Sequence, residues 1–168
     1  MGLIIDVVDM TDAYAAGTKD GLPTKDTKFM IEHSSGSDEM GRMIDEVAKV
    51  AEQKPSVVQV LRIWGHGLLG DGGVQDLGSF RLAANSVATV PDRLASYFCA
   101  GARVELHACK VANTTGRDMM LALAKKWHVR VQGSADATFG VLWTTMIYEA
   151  TPSGDWLKVK PISVYERR

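Results

Sequence analysis

The chain has few cysteines and no excess of either charge. Two cysteines among 168 residues, Cys99 and Cys109, do not form a disulfide framework, so we expect free thiols in a reducing compartment. The 19 basic and 20 acidic residues nearly cancel. That balance argues against nucleic acid or an anionic membrane as a partner.

Long apolar runs are also missing. No segment approaches the ~18 apolar residues of a membrane span. The stretch MGLIIDVVDM (1–10) carries acids where a signal peptide carries positive charge. We therefore expect a cytoplasmic protein, or a domain of a larger exported one, with no membrane partner. Repeats, low-complexity segments and linkers are absent too, which predicts a single domain over residues 1–168.

Apolar periodicity predicts an alternation of strands and helices. We expect strands at 3–9, 28–33, 56–64, 103–109 and 129–134, and helices at about 37–53, 91–101 and 113–127. The segments 11–27 and 65–78 are rich in glycine and polar residues and are typical of loops. The tail 141–165 alternates on either side of a Pro-Ser-Gly-Asp turn, which predicts a β-hairpin.

This order predicts an α/β fold, a three-layer sandwich with a mostly parallel sheet and a C-terminal β-hairpin. In such sheets, binding and chemistry gather beyond the carboxyl ends of the strands. His66 follows the strand 56–64 and Cys109 closes the strand 103–109, so both fall at that edge.

A thiol and an imidazole at one sheet edge are the minimum set of catalytic groups for nucleophilic acyl transfer. Backbone N–H groups and a helix start close to Cys109 favour its thiolate form. Gly67 leaves room for a substrate backbone, and the N–H groups of Gly67 and Cys109 are candidate donors to an oxyanion. By itself, each residue also has an ordinary structural interpretation, a small buried cysteine and a surface histidine.

The two strand ends, VVQVLRIWGHG (57–67) and RVELHAC (103–109), resemble the caspase-like cysteine peptidases, in which one apolar strand ends in His-Gly and another in Ala-Cys. The segment HACKVANTTGRDMMLALAKKWHVRVQGS (107–134) is similar to a little-characterised bacterial branch found in large surface or secreted proteins. The resemblance covers about residues 56 to 140. It implies that Cys109 is the nucleophile, His66 the general acid/base and Gly67 part of the oxyanion site. It requires no third catalytic residue and no cofactor, and it implies a peptide or protein substrate.

The sequence leaves three points open, which concern the role of Asp136, a metal site and catalytic activity itself. Asp136 lies at the same edge and either selects Lys or Arg on the acyl side of the cut or caps a loop. His107, two positions before Cys109, could join Cys109 and His66 in a metal site, although no second ligand pair completes it and we expect no metal. The domain could also be a caspase-like binding or regulatory module with weak or no turnover. The oligomeric state is not predicted.

Overall fold

A computed structural model describes residues 2–18, 22, 28–33, 39–53, 57–67, 73–136 and 146–160. The strands are β1 (Leu3–Asp9), β2 (Lys28–His33), β3 (Val58–Trp64), β4 (Gln75–Leu77), β5 (Phe80–Leu82), β6 (Phe98–His107), β7 (Arg130–Ser134), β8 (Ile147–Ala150) and β9 (Trp156–Val159). The helices are α1 (Ala13–Thr18), α2 (Glu39–Gln53) and α3 (Thr114–Trp127). None of the described helices is long and apolar enough to cross a membrane.

Seven strands form one sheet in the order β2-β1-β3-β6-β7-β8-β9. The first five run parallel, and β8 and β9 are antiparallel to their neighbours. Strands β4 and β5 form a separate antiparallel pair. The predicted α/β class with a mostly parallel sheet is therefore confirmed, and the predicted C-terminal hairpin is present as β8 and β9.

One face of the sheet carries the main hydrophobic core, and both long helices pack on that face. The α2 residues Met40, Met43, Ile44, Val47 and Ala51 recur at intervals of three and four, which places them on one helical face, and all are buried. Helix α3 contributes Met119, Met120, Leu123 and Trp127 to the same cluster. On the opposite face, the described residues include one small apolar cluster, formed by Val8, Trp64, Ala15 of α1 and Leu22.

That opposite face also buries charged side chains. Asp6, Arg62 and Glu105 lie directly beside one another in the register of β1, β3 and β6. All three are buried, although each is flanked on both sides in its strand by apolar residues. A charged side chain, Arg62, is therefore buried within β3 on this face of the sheet.

Two local predictions are corrected. Residues 91–101 do not form one helix, because a 3-10 turn at Arg93–Tyr97 leads directly into β6 at Phe98. Gly101 lies inside that strand with φ 77° and does not end a helix. The predicted loop 11–27 contains the short helix α1.

Candidate active site

His66 and Cys109 follow adjacent parallel strands. The last paired residues of β3 and β6 are Trp64 and His107, and the N–H of Gly65 then donates to the His107 carbonyl at 3.3 Å. His66 and Cys109 each lie two positions beyond that pair. The two residues predicted from the strand ends therefore share one edge of the sheet.

Gly67 lies directly against the backbone of Cys109. A Cβ atom at Gly67 would lie 2.2 Å from the Cys109 carbonyl oxygen and 2.6 Å from its nitrogen, closer than any real side chain allows. The sequence predicted that this space accommodates a substrate backbone, but the backbone of Cys109 occupies it. Glycine is required here because the histidine loop and the cysteine loop touch.

Gly65 has a similar role on the other side of His66. A Cβ at Gly65 would lie 2.3 Å from the Asp76 carbonyl oxygen. The Asp76 N–H donates to the His66 carbonyl at 2.8 Å, and the Asp76 carboxylate pairs with the exposed Arg81. The backbone of His66 is therefore held between β4 and the cysteine loop.

The imidazole of His66 faces Asp12. His66 Nδ1 lies 3.3 Å from Asp12 Oδ2, and the side chains are 46% and 21% exposed. The other carboxylate oxygen of Asp12 accepts the N–H of Ala15 at 2.7 Å and so caps α1. A carboxylate beside Nδ1 favours the tautomer with the proton on Nδ1, which leaves Nε2 able to accept a proton.

Sequence reasoning missed Asp12. The available signal was its place three residues beyond the end of β1, the strand that neighbours β3 in the sheet. An acidic residue in that position lies at the carboxyl edge of the sheet, beside the loop that follows β3 and contains His66. Using this signal requires the strand order, which periodicity alone does not provide.

The loop after Cys109 is tied down by backbone hydrogen bonds. Lys110 has φ 52°, a strained value for a residue other than glycine. Its N–H donates to the Asp136 carbonyl at 2.9 Å, and its own carbonyl accepts the N–H of Gly73 at 3.0 Å. Asn113 then begins α3 by accepting the N–H of Gly116 at 3.0 Å, which agrees with the predicted start of the helix at residue 113.

Asp136 belongs to the same edge through its backbone. It follows β7, is half-buried, and donates its N–H to Ser134 Oγ at 3.1 Å. Its carbonyl accepts the N–H of Lys110, the residue next to Cys109, so the Asp136 backbone is one residue removed from the thiol.

The two cysteines lie in different surroundings. Cys109 is half-buried at the carboxyl edge of the sheet. Cys99 lies near the start of β6, at the opposite end of the strand, and packs against the core.

His107 is buried and turned away from the edge. Its Nε2 lies 3.1 Å from Glu105 Oε2, and its ring stacks on Trp64 with a centroid distance of 3.8 Å and an interplanar angle of 19°. Burial lowers the pKa of His107 below its usual value, against the opposing effect of Glu105. The described part of the chain contains no group of three or more His, Cys, Asp or Glu side chains placed to hold a metal ion.

No protein-family model, curated protein or solved structure matches the chain. What characterises the site is therefore its own geometry, a thiol loop and an imidazole loop in backbone contact at the carboxyl edge of a mostly parallel sheet.

Proposed function

We propose that the protein is a cysteine endopeptidase of caspase-like, three-layer architecture, with Cys109 as nucleophile and His66 as general acid/base. The observation that carries the proposal is the contact between Gly67 and the Cys109 backbone. It brings the two chemical groups to neighbouring loops at an edge where both side chains have access to solvent. The strands that precede the two residues, β3 and β6, are neighbours in the sheet.

The reaction begins when His66 Nε2 takes the proton of the Cys109 thiol. The thiolate attacks the carbonyl carbon of the peptide and forms a tetrahedral oxyanion. The oxyanion collapses to a thioester while His66 returns the proton to the leaving amine. His66 then activates a water molecule, which hydrolyses the thioester, releases the new carboxyl group and restores the thiol.

The oxyanion needs hydrogen-bond donors that are already in place. The N–H groups of Gly67 and Cys109 are the candidates, since the two residues are in contact. One such donor contributes about 3 kcal/mol to stabilising the transition state.

Asp12 supports the histidine in this scheme. Its carboxylate orients the imidazole through Nδ1 and stabilises the imidazolium that forms during each proton transfer. Because its other oxygen caps α1, the carboxylate is held in place by a helix end. The caspase-like resemblance does not require a third residue, so Asp12 is an addition made by this chain.

The substrate is a peptide or protein, and Asp136 supplies a negative charge at the edge of the site. We expect a Lys or Arg residue on the acyl side of the cut, since Asp136 is half-buried and its backbone lies beside the cysteine loop.

A positional-scanning peptide library tests the proposal. The wild-type protein should cleave a subset of peptides, Cys109→Ala should abolish cleavage and His66→Ala should nearly do so. Cys99→Ala is the matched control, because it removes the other thiol at the far end of β6 and should leave turnover unchanged. Full activity in Cys109→Ala would refute the mechanism, and a folded wild-type protein that cleaves nothing would favour a binding or regulatory module.

A further inference from the structure

Five buried side chains form a closed ring beneath the candidate active site. They come from three adjacent strands and comprise Asp6, Arg62, Trp64, Glu105 and His107. We call this set the buried ring.

Every step of the buried ring is a direct contact. Trp64 Nε1 donates to Asp6 Oδ1 at 2.9 Å, and Arg62 Nη1 lies 3.4 Å from both carboxylate oxygens of Asp6. Arg62 Nε donates to Glu105 Oε2 at 3.2 Å, and the same oxygen lies 3.1 Å from His107 Nε2. The stack of His107 on Trp64 closes the circuit.

The buried ring lies next to the candidate dyad, His66 and Cys109, through its two aromatic members. Trp64 and His107 are the final register pair of β3 and β6. His66 and Cys109 lie two residues further, which corresponds to roughly 7 Å of extended chain. Any change in the spacing of Trp64 and His107 is therefore passed to the thiol and the imidazole over a very short length of backbone.

Stability alone does not account for such a ring. Buried ion pairs lose hydration, and replacing them with apolar residues of similar volume is often neutral or stabilising. Directional contacts instead fix how far apart neighbouring strands lie and how their side chains are oriented. Glu105 is held on its other oxygen by Arg103 Nε at 2.7 Å, so its position beside His107 is itself fixed.

We propose that Trp64 and His107 are positioning residues that set the separation of His66 and Cys109. The inference rests on the proposed function, because it concerns the geometry of that dyad. Trp64 holds the end of β3 in place through its hydrogen bond to Asp6, and His107 holds the end of β6 in place through Glu105. The stacked rings of Trp64 and His107 join the two strand ends.

Trp64→Phe is the informative variant, since it keeps an aromatic ring for stacking but removes the N–H bond to Asp6. Trp127→Phe is its matched control: Trp127 is also buried, and its Nε1 donates to the Pro91 carbonyl at 2.8 Å, in the core on the other face of the sheet. Both variants lose one indole hydrogen bond and similar volume. Only Trp64→Phe should disturb the dyad.

The main readout is the alkylation rate of Cys109 by iodoacetamide from pH 5 to 10, in which the thiolate displaces iodide. This measurement needs no peptide turnover. We expect Trp64→Phe to react roughly 10- to 100-fold more slowly than wild type near pH 7, the scale of a misplacement of about 1 Å. Its pH profile should approach that of His66→Ala, and kcat should fall with little change in KM, while Trp127→Phe keeps the wild-type profile.

The outcomes distinguish a failure of the positioning role from a failure of the proposed peptidase function. Wild-type alkylation and turnover in a folded Trp64→Phe protein would overturn the positioning role. An equal loss of reactivity in Trp127→Phe would do the same, since it would trace the effect to general destabilisation. A wild-type profile identical to that of His66→Ala would instead contradict the proposed function. Should Trp64→Phe not fold, His107→Gln keeps a partner for Glu105, removes the stacked ring, and must show the same loss of reactivity.

Discussion

Gly67→Ala should push apart the two loops that carry the candidate dyad. The new Cβ would lie 2.2 Å from the Cys109 carbonyl oxygen, 2.6 Å from its nitrogen and 3.0 Å from its carbonyl carbon. Ordinary contact begins near 3.4 Å, so the cysteine loop must move by about 1 Å. Overpacking of this kind costs about 1 to 3 kcal/mol of stability. A misplacement of about 1 Å at reacting groups lowers the rate by about 100-fold.

The assay is kcat and KM for the best library peptide, together with the free energy of unfolding from urea titration. Gly17→Ala is the control, because a Cβ at Gly17 meets nothing within 4 Å and the residue lies in α1. We expect kcat to fall by about 100-fold in Gly67→Ala and to stay unchanged in Gly17→Ala. A Gly67→Ala protein with wild-type kcat and stability would refute the contact between Gly67 and the Cys109 backbone.

Three further predictions follow from the same geometry. Asp12→Asn keeps an oxygen for the α1 cap but removes the carboxylate from His66, so kcat should fall by roughly 100-fold with no loss of helix content by circular dichroism. Burial lowers the pKa of His107, so below the unfolded value of ~6.5 the unfolded chain binds a proton that the folded protein does not. The free energy of unfolding should therefore fall with decreasing pH by up to about 1.4 kcal/mol per pH unit from this group, and urea titration of His107→Gln should show a shallower fall. Asp136→Ala should reduce the library's preference for Lys or Arg by up to about fivefold, because a half-exposed charge pair contributes about 1 kcal/mol or less; an unchanged preference would exclude Asp136 from the specificity site.

The main elements were predictable because their apolar spacing is unambiguous. Helix α2 places Met43, Ile44 and Val47 on one face, and β1 is a β-branched run. Residues 91–101 were not predictable in the same way, because proline near the start and glycine at the end imitate the limits of a helix. The segment instead enters the sheet at Phe98, which pairs with Val58, and such long-range pairing overrides short local patterns.

The placement of the candidate site was predictable to the level of its strand ends. Cys109 and His66 could be placed at one edge because carboxyl ends of parallel strands share an edge. Asp12 and the buried ring could not, since they depend on which strands are neighbours and in what register. The visible sign was the presence of charged residues, Asp6, Arg62 and Glu105, within the strands, and only the register shows that they meet.

Covalent labelling by a substrate-like electrophile tests the central claim most directly. The protein is incubated with a peptidyl acyloxymethyl ketone bearing Lys or Arg, and the modified residue is identified by intact mass and peptide mapping. We predict one adduct, on Cys109, that is lost in Cys109→Ala, strongly reduced in His66→Ala and unchanged in Cys99→Ala. Labelling of Cys109 that is independent of His66, or equal labelling of Cys99, would contradict a Cys109–His66 peptidase.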